Sequence, residues 1–483
     1  MLAFSLAAPE VLLLIALCVV LLLDSFLAKN EAPLIAYLAA QLSLWATALM
    51  VYSLTFSRAE KVVGLERMYI VDEIGGVLKI AILVITSVGF VYARKYLREH
   101  QMWRGEFYVL GLSSVLGMLI MVSGYNLLSL YLGVELLSLS MYALVAFRRD
   151  DPRASEAAMK YFVLGAVASG LLLYGMSMLY GLSGTLSLDG LKDYFTAQGM
   201  ENHVMLIFAL SFLVAGLAFK LGVVPFHMWL PDVYQGAPTA VTLLLSSAPK
   251  IATLALLIRI LVDGLSPALA SWSQLLMVFG LLSVVLGNIV AIAQTSLKRM
   301  LAYSAISHMG FILLAVLTGT EGGYSAALFY SIIYALMSSG AFAILILLGN
   351  HHADPDHLDC LRGLNQRSPW FALLMLIILF SMAGIPPTAG FYAKLAVIDA
   401  IMAEGYWIAA IVLVVMSVIG AYYYLRAIKL MYFDEPEESL PIVAGLDFKV
   451  TLGLNSLSMI ILGMFPGLLM AVCASAVKAS QLL

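Results

Sequence analysis

The sequence predicts an all-α polytopic membrane protein of about 14 transmembrane helices, built as two inverted five-helix repeats with one broken helix in each. Three observations carry that expectation. Hydrophobic residues make up 63% of the 483-residue chain and charged ones only 11%, for a mean hydropathy of +0.99. Apolar runs of about 20 residues, long enough to cross a hydrocarbon core as a helix, recur from end to end. Two of these runs are interrupted beside a lysine, at Gly222-Val-Val-Pro225 and at Gly384-Ile-Pro386-Pro387.

In order, spans are expected at roughly 9–28, 32–56 and 72–92, then 107–123, 126–147, 156–182, 204–230 and 238–261. They continue at roughly 272–294, 299–318, 323–349, 369–402 (broken), 406–432 and 450–475. The first apolar run, Val11 to Leu23, lacks a basic flank and a small-residue cleavage site, so it reads as a retained helix rather than a signal peptide. The longest polar connections, 57–71, 93–106, 183–203, 350–368 and 433–449, are too short for an extramembrane domain. The two proline breaks lie 162 residues apart, and the span onsets near Glu106 and Ser271 lie 165 apart. Five spans reverse membrane polarity, which makes such a duplication an inverted one. The expected division is therefore an N-terminal three-helix segment (1–105), two antiporter-like repeats (106–262 and 271–433) and a C-terminal loop with the last helix (434–483).

Loop charge sets the expected orientation. With the N-terminus on side one, loops on that side carry Arg58, Lys61, Arg67, Lys192, Arg259 and Lys478. Side two carries 15 basic residues, among them Lys29, Arg94, Arg148, Arg153, Lys298, Arg299, Arg362 and Arg426, which places both termini outside the cytoplasm. These loops account for 21 of the 26 basic residues. The other five, Lys79, Lys160, Lys220, Lys250 and Lys394, fall inside apolar spans.

Several chemistries find no motif. Cys18, Cys360 and Cys473 are isolated, so no iron–sulfur cluster or disulfide framework is encoded. No glycine-rich dinucleotide loop and no P-loop occur, so no NAD, flavin or ATP site is expected. His351, His352, Asp354, Asp356, His357 and Asp359 resemble metal ligands, but their spacing is irregular and a solvated loop is the simpler reading. The aromatic and methionine content reads as packing material.

Ionisable residues inside the spans carry the functional expectation, because broken helices and buried charge at membrane depth mark ion pathways. Glu135 lies mid-span, and the nearest basic residue in sequence is Arg148. A carboxylate at that depth costs at least about 2.5 kcal/mol, so it must be paired or protonated. Either a structural ion pair between helices or a titratable switch satisfies this, and we favour the switch. Lys220, just before the Pro225 break, is its natural partner. Lys250 follows Pro249 too far from either end of its span to snorkel, and Lys394 follows the second break. Lys160 and Lys79 lie near helix starts, where snorkelling is the simpler account. His227 and His308 can both accept and donate, either as proton relays or as helix–helix hydrogen bonders.

The motif Phe219-Lys220-x4-Pro225-x-His227-x-Trp229-Leu230-Pro231-Asp232, followed by Ala237-Pro238, resembles the antiporter-like membrane subunits of respiratory complex I. Related subunits of the multi-subunit Na⁺/H⁺ antiporters share it, and the similarity spans the fourth to thirteenth helices. Three features single out one member of that family: Leu132-Gly-Val-Glu-Leu-Leu-Ser-Leu, a lysine at 394 where a sister subunit has glutamate, and no long lateral helix after the last span.

The resemblance implies that Glu135 and Lys220 form an ion pair, that Lys250 is the central relay and that Lys394 is the terminal lysine. His227 and His308 would be polar links along a hydrated axis, and Lys160 would correspond to the family's sixth-helix lysine. It also implies proton translocation on this chain, a subunit of a translocating NADH–quinone oxidoreductase, with NADH, FMN, iron–sulfur clusters and quinone on other subunits. The implied partners are other membrane-arm subunits (the small subunits J and K and the antiporter-like subunit M) within the lipid bilayer of a bacterial inner membrane, and no nucleic acid. The rival readings are a subunit of a cation/proton antiporter and a structural spacer between pumping modules.

Overall fold

The computed structural model describes residues 5–27, 32–57, 61–198, 204–349, 356–436 and 442–480. Thirteen helices are long and apolar enough to cross a membrane. A further crossing is made in two pieces, Pro369–Ala383 and Ala389–Ala403, so the described residues make the fourteen crossings expected.

The N-terminal crossings are α1 (Ala8–Phe26), α2 (Ala32–Phe56) and α3 (Glu73–Glu99). Between α2 and α3 the polar connection folds into a hairpin, β1 (Val62–Gly64) against β2 (Tyr69–Val71), with Val63 opposite Ile70. Its β-branched and aromatic residues suit a pleated strand. Asp72 then caps α3 by accepting from the Gly75 amide at 2.9 Å.

The next crossings are α4 (Glu106–Ser123), α5 (Leu127–Val145) and α6 (Pro152–Ser183). α4 and α5 pack as a close antiparallel pair, because Gly117 and Gly133 face each other across it. A side chain at Gly117 would meet the Leu137 amide nitrogen at 2.6 Å. Lipid offers no hydrophobic drive between helices, so small residues that let backbones touch supply the contact. A short amphipathic helix, α7 (Leu188–Gln198), follows on the surface and buries Leu188, Leu191 and Phe195, one face at helical spacing.

α8 (Val204–Leu221) stops nine residues before the expected end of the seventh span, and the chain turns before α9 (Trp229–Gly236). The eighth crossing is itself interrupted: α10 (Thr239–Ser246) and α11 (Ala248–Leu257) meet at Ser247, and a wider-wound π-helical stretch, Ile258–Gly264, completes it. This crossing is buried along its whole length, as are nearly all of α13 (Leu297–Val316) and α14 (Glu321–Leu348). α12 (Leu269–Ile292) pairs closely with α13.

After a short helix, α15 (Leu364–Arg367), come α16 (Pro369–Ala383), α17 (Ala389–Ala403) and α18 (Trp407–Phe433). The last crossing is not one helix. α19 (Leu446–Met464) ends at Phe465-Pro466, and α20 (Gly467–Ala479) runs on to pack against α14 and α3. Helices α1, α18 and α19 leave most of their apolar surface outward, where lipid covers it.

Two of the basic residues assigned to loops are buried. Arg259 is not a loop residue but lies 1% exposed in the π-helical stretch, and Lys298 is 1% exposed in the first turn of α13. One basic residue leaves each side's count, so the charge asymmetry stands. Lys29 and Arg58 lie outside the described residues.

Candidate functional site: lysines at helix breaks

Each proline break exposes backbone that a lysine then meets. α8 closes on Gly222 at φ +79° and α16 on Gly384 at φ +82°, a left-handed conformation that glycine adopts without steric penalty. The carbonyls of a helix's last turn have no intrahelical donor, and the prolines that follow have no N–H to offer. The Lys250 amine donates to the Leu221 carbonyl at 2.7 Å, and the Lys394 amine to the Ala383 carbonyl at 2.9 Å. At the second break the absence of a side chain also makes room for the lysine, since a Cβ at 384 would stand 2.9 Å from Lys394 Cδ, whereas a Cβ at 222 would meet Leu230 Cδ1 at 2.3 Å. Lys250 reaches its position because the eighth crossing is interrupted at Ser247, with Pro249 in the first turn of α11.

Lys220, in the last turn of α8, is held differently. Its amine donates to Ser138 Oγ on α5 at 2.7 Å and to Ser169 Oγ on α6 at 3.4 Å. All three amines lie over aromatic faces: Lys250 is 5.5 Å from the Trp229 ring, Lys394 5.5 Å from Phe311, and Lys220 6.0 Å from Phe219. Trp229 is fixed by stacking on Tyr161 (4.6 Å) and by donating its indole N–H to the Phe219 carbonyl at 3.0 Å.

The direct Glu135–Lys220 ion pair is not formed. The two residues lie on different helices, and Ser138, one turn beyond Glu135 on α5, takes the lysine's proton donor instead. Glu135 Oε1 is buried and without a hydrogen-bond partner. Lys220, Lys250 and Lys394 therefore share one property: their hydrogen-bond partners are hydroxyls or carbonyls, and among the described residues none has a carboxylate within ion-pair distance.

The two histidines part company. His308 is 3% exposed and sits between two tyrosines, with Nδ1 2.7 Å from the Tyr330 hydroxyl and Nε2 3.2 Å from the Tyr424 hydroxyl. His227 is half-buried just before α9, with Nδ1 lacking a partner and its ring 6.5 Å from that of Tyr303. Tyr330 and Tyr424 were expected as packing material; their hydroxyls are instead part of the polar interior, a role composition cannot reveal.

Lys160 is not brought to this set. It is exposed on α6 and pairs with Glu156 and Asp232, both at 2.8 Å, while Arg299 meets the other Asp232 oxygen at 2.7 Å. Lys160, Glu156 and Asp232 line, with Arg153, Gln235 and Asp356, a surface cleft of about 250 Å³. Lys79, expected to snorkel, is 4% exposed and locked to Glu10 of α1, and both hydrogen-bond the Tyr69 hydroxyl. Arg259 is held by Asp72 through two bonds (2.6 and 2.8 Å), by Asp263 at 2.9 Å and by the Val122 carbonyl at 2.9 Å. Of the suspected metal loop, His351, His352 and Asp354 lie outside the described residues. Asp356 accepts from Gln235 and Ser296, and His357 stands 3.7 Å from Asp359.

A polytopic helical membrane protein with uncompensated lysines at paired helix breaks has the build of an antiporter-like subunit. A family described as "NADH:quinone oxidoreductase/Mrp antiporter, TM" matches residues 124–420. The chain is 52% identical to the NADH-quinone oxidoreductase subunit N of Thioalkalivibrio sulfidiphilus, over 97% of both chains. A chain of the respiratory complex I of Thermus thermophilus, solved with bound aureothin, superposes with a TM-score of 0.83 at 32% identity, over 96% of this chain and 98% of that one. A chain of the membrane-bound sulfane sulfur reductase, an archaeal respiratory membrane complex, superposes at 0.88 with 25% identity, covering 99% and 98%. The chain belongs to the NADH:quinone oxidoreductase/Mrp antiporter transmembrane family and, within it, groups with the subunit N proteins.

Proposed function

We propose that this chain is a proton-translocating membrane subunit of a bacterial NADH–quinone oxidoreductase, and that Glu135, Lys220, Lys250, His308 and Lys394 carry the proton. Electron transfer from NADH to quinone takes place on other subunits, and no redox group resides here. The small subunits J and K and the antiporter-like subunit M are its neighbours in the inner membrane, and both termini face the periplasm. The relatives' shared name and their near-full-length match support the assembly. The repeat division at 106–262 and 271–433 belongs to the same reading.

One observation carries the mechanism: Lys220, Lys250 and Lys394 lie within the bundle with neutral hydrogen-bond partners only. An amine fixed in a buried ion pair is held charged by its carboxylate, whereas one bonded to a hydroxyl or carbonyl keeps its proton exchangeable. Glu135, one turn before the Ser138 that holds Lys220 and with an unpartnered Oε1, is the charge whose movement changes that lysine's preference. A disturbance from quinone reduction that shifts Glu135 toward or away from Lys220 passes a proton toward Lys250 and on to Lys394. His227 is the polar link beside the first break.

The test is the assembled complex in native membranes carrying Lys220→Ala or Lys394→Ala, with NADH oxidation and proton uptake measured together. Both variants should assemble and lose most of their proton pumping. Undiminished pumping in both would overturn the mechanism, and Na⁺ transport by the isolated chain would favour an antiporter instead.

A further inference from the structure

The second break poses a question the lysines do not answer: how a proton reaches Lys394 from the basic face. α13 begins at Leu297 with Lys298 and Arg299 in its first turn, so its start marks that face. Ser304 lies about 10 Å further in along this helix and His308 about 16 Å, near the centre of a hydrocarbon core of about 30 Å. Between these depths runs an unbroken chain of groups that each accept and donate. Ser304 Oγ is hydrogen-bonded to the Tyr424 hydroxyl of α18, Tyr424 to His308 Nε2 (3.2 Å), and His308 Nδ1 to the Tyr330 hydroxyl of α14 (2.7 Å). Every member is at most 3% exposed.

The chain stops at an aromatic wall. Phe311, one turn beyond His308, stacks on the Tyr330 ring with centroids 5.7 Å apart and planes 17° from parallel. The Lys394 amine stands 5.5 Å from the centroid of the same Phe311 ring. Phe311 thus lies against both the inner end of the hydroxyl–imidazole chain and the lysine, and it has no group that can pass a proton.

We infer that Ser304, Tyr424, His308 and Tyr330 form the inner segment of a proton wire leading from the side of the basic face to the second break, and that Phe311 is the gate separating this wire from Lys394. The inference rests on the translocation reading above. A proton arriving at Tyr424 is accepted on its oxygen as the hydroxyl's own proton passes to His308 Nε2. The imidazolium so formed releases its Nδ1 proton to the Tyr330 oxygen, and Tyr330 gives up its hydroxyl proton to a neutral Lys394 amine once Phe311 has swung aside. One proton enters, one leaves, and rotation of the hydroxyls and return of the imidazole to its starting tautomer reset the chain.

The experiment uses the intact complex with Tyr424→Phe, Tyr422→Phe and Phe311→Ala, alongside Lys394→Ala. Tyr424→Phe keeps the ring and removes only the hydroxyl, so complex content should be normal while protons pumped per NADH fall at least severalfold and the residual rate shows a larger D₂O effect. Tyr422→Phe, whose side chain faces outward from the same helix and is 56% exposed, should match the parent. Phe311→Ala should raise the passive proton leak of liposomes holding the idle complex. Full pumping in Tyr424→Phe, or an unchanged leak in Phe311→Ala, overturns the wire or the gate respectively. Should Tyr424→Phe fail to assemble, the Phe311→Ala leak decides alone. Loss of pumping in Lys394→Ala with none in Tyr424→Phe rejects the wire and spares the translocation reading, whereas pumping intact in Lys394→Ala rejects both.

Discussion

The N-terminal segment and the antiporter-like region both bury cations, yet they hold them in opposite ways. Lys79 is locked to Glu10, and Arg259, reaching across from the eighth crossing, is locked to Asp72 and Asp263. Lys220, Lys250 and Lys394 have only hydroxyls and carbonyls. The difference separates two uses of buried charge. A fully paired cation pins elements together in one geometry; a cation without a fixed counter-ion responds to any charge that approaches it.

Arg259 offers the largest test of the locked class. Arg259→Met leaves Asp72 and Asp263 buried without their shared partner, and Lys61, 4.0 Å from Asp263, is too far to replace it. Loss of one partner of a buried pair costs about 3–5 kcal/mol, so the variant subunit should be scarcely detectable in membranes by quantitative immunoblot. Near-normal amounts would remove Arg259 from the locked class. Glu10→Gln should lower abundance by a similar mechanism, since it strands the Lys79 ammonium. Glu10→Gln combined with Lys79→Met should recover most of the loss, because removing both charges removes the desolvation penalty as well.

Lys250→Met sharpens the contrast from the other side. It leaves the Leu221 carbonyl without its donor but strands no carboxylate, so stability should fall by about 1–3 kcal/mol, less than the loss of a buried ion-pair partner. Abundance should be close to that of the parent while acid uptake during NADH oxidation collapses. Collapse of both together would place Lys250 with the locked residues.

How much of this division the sequence reveals depends on the range of the signal. Spans are read from hydropathy within one window, and the breaks at Pro225 and at Pro386-Pro387 announce themselves through a residue that cannot donate. The interruption at Ser247 was legible only in part, through Pro249, because a single proline in a first turn also suits an ordinary helix start. Pairing is a tertiary fact. Lys79 and Glu10 are 69 residues apart and Arg259 and Asp72 are 187 apart, so nothing local told Lys79, which is locked, from Lys250, which is not. The same holds for Glu135: its helix marked a carboxylate at mid-span, but which atom would reach Lys220 was settled by Ser138, one turn away. Tyr330 and Tyr424 were hidden for another reason, since a tyrosine's ring and hydroxyl serve packing and hydrogen bonding alike and only the neighbour decides between them.

The smallest effect is expected at Lys160, which belongs to neither class. Its amine bonds Glu156 one turn earlier and Asp232 of α9, but it does so at an exposed cleft where water competes for every charge. Exposed pairs contribute about 0–1 kcal/mol, and Asp232 keeps Arg299 at 2.7 Å when Lys160 is removed. Lys160→Ala should therefore assemble normally and pump within a factor of about two of the parent, a change of about 0.4 kcal/mol in the barrier. Its residual effect should shrink as salt rises, because screening weakens the pair it deletes. A pumping defect as deep as that of Lys250→Met, and insensitive to salt, would move Lys160 into the relay. It would also mean that the cleft around Asp232 feeds the buried lysines rather than merely bracing α9 against α6.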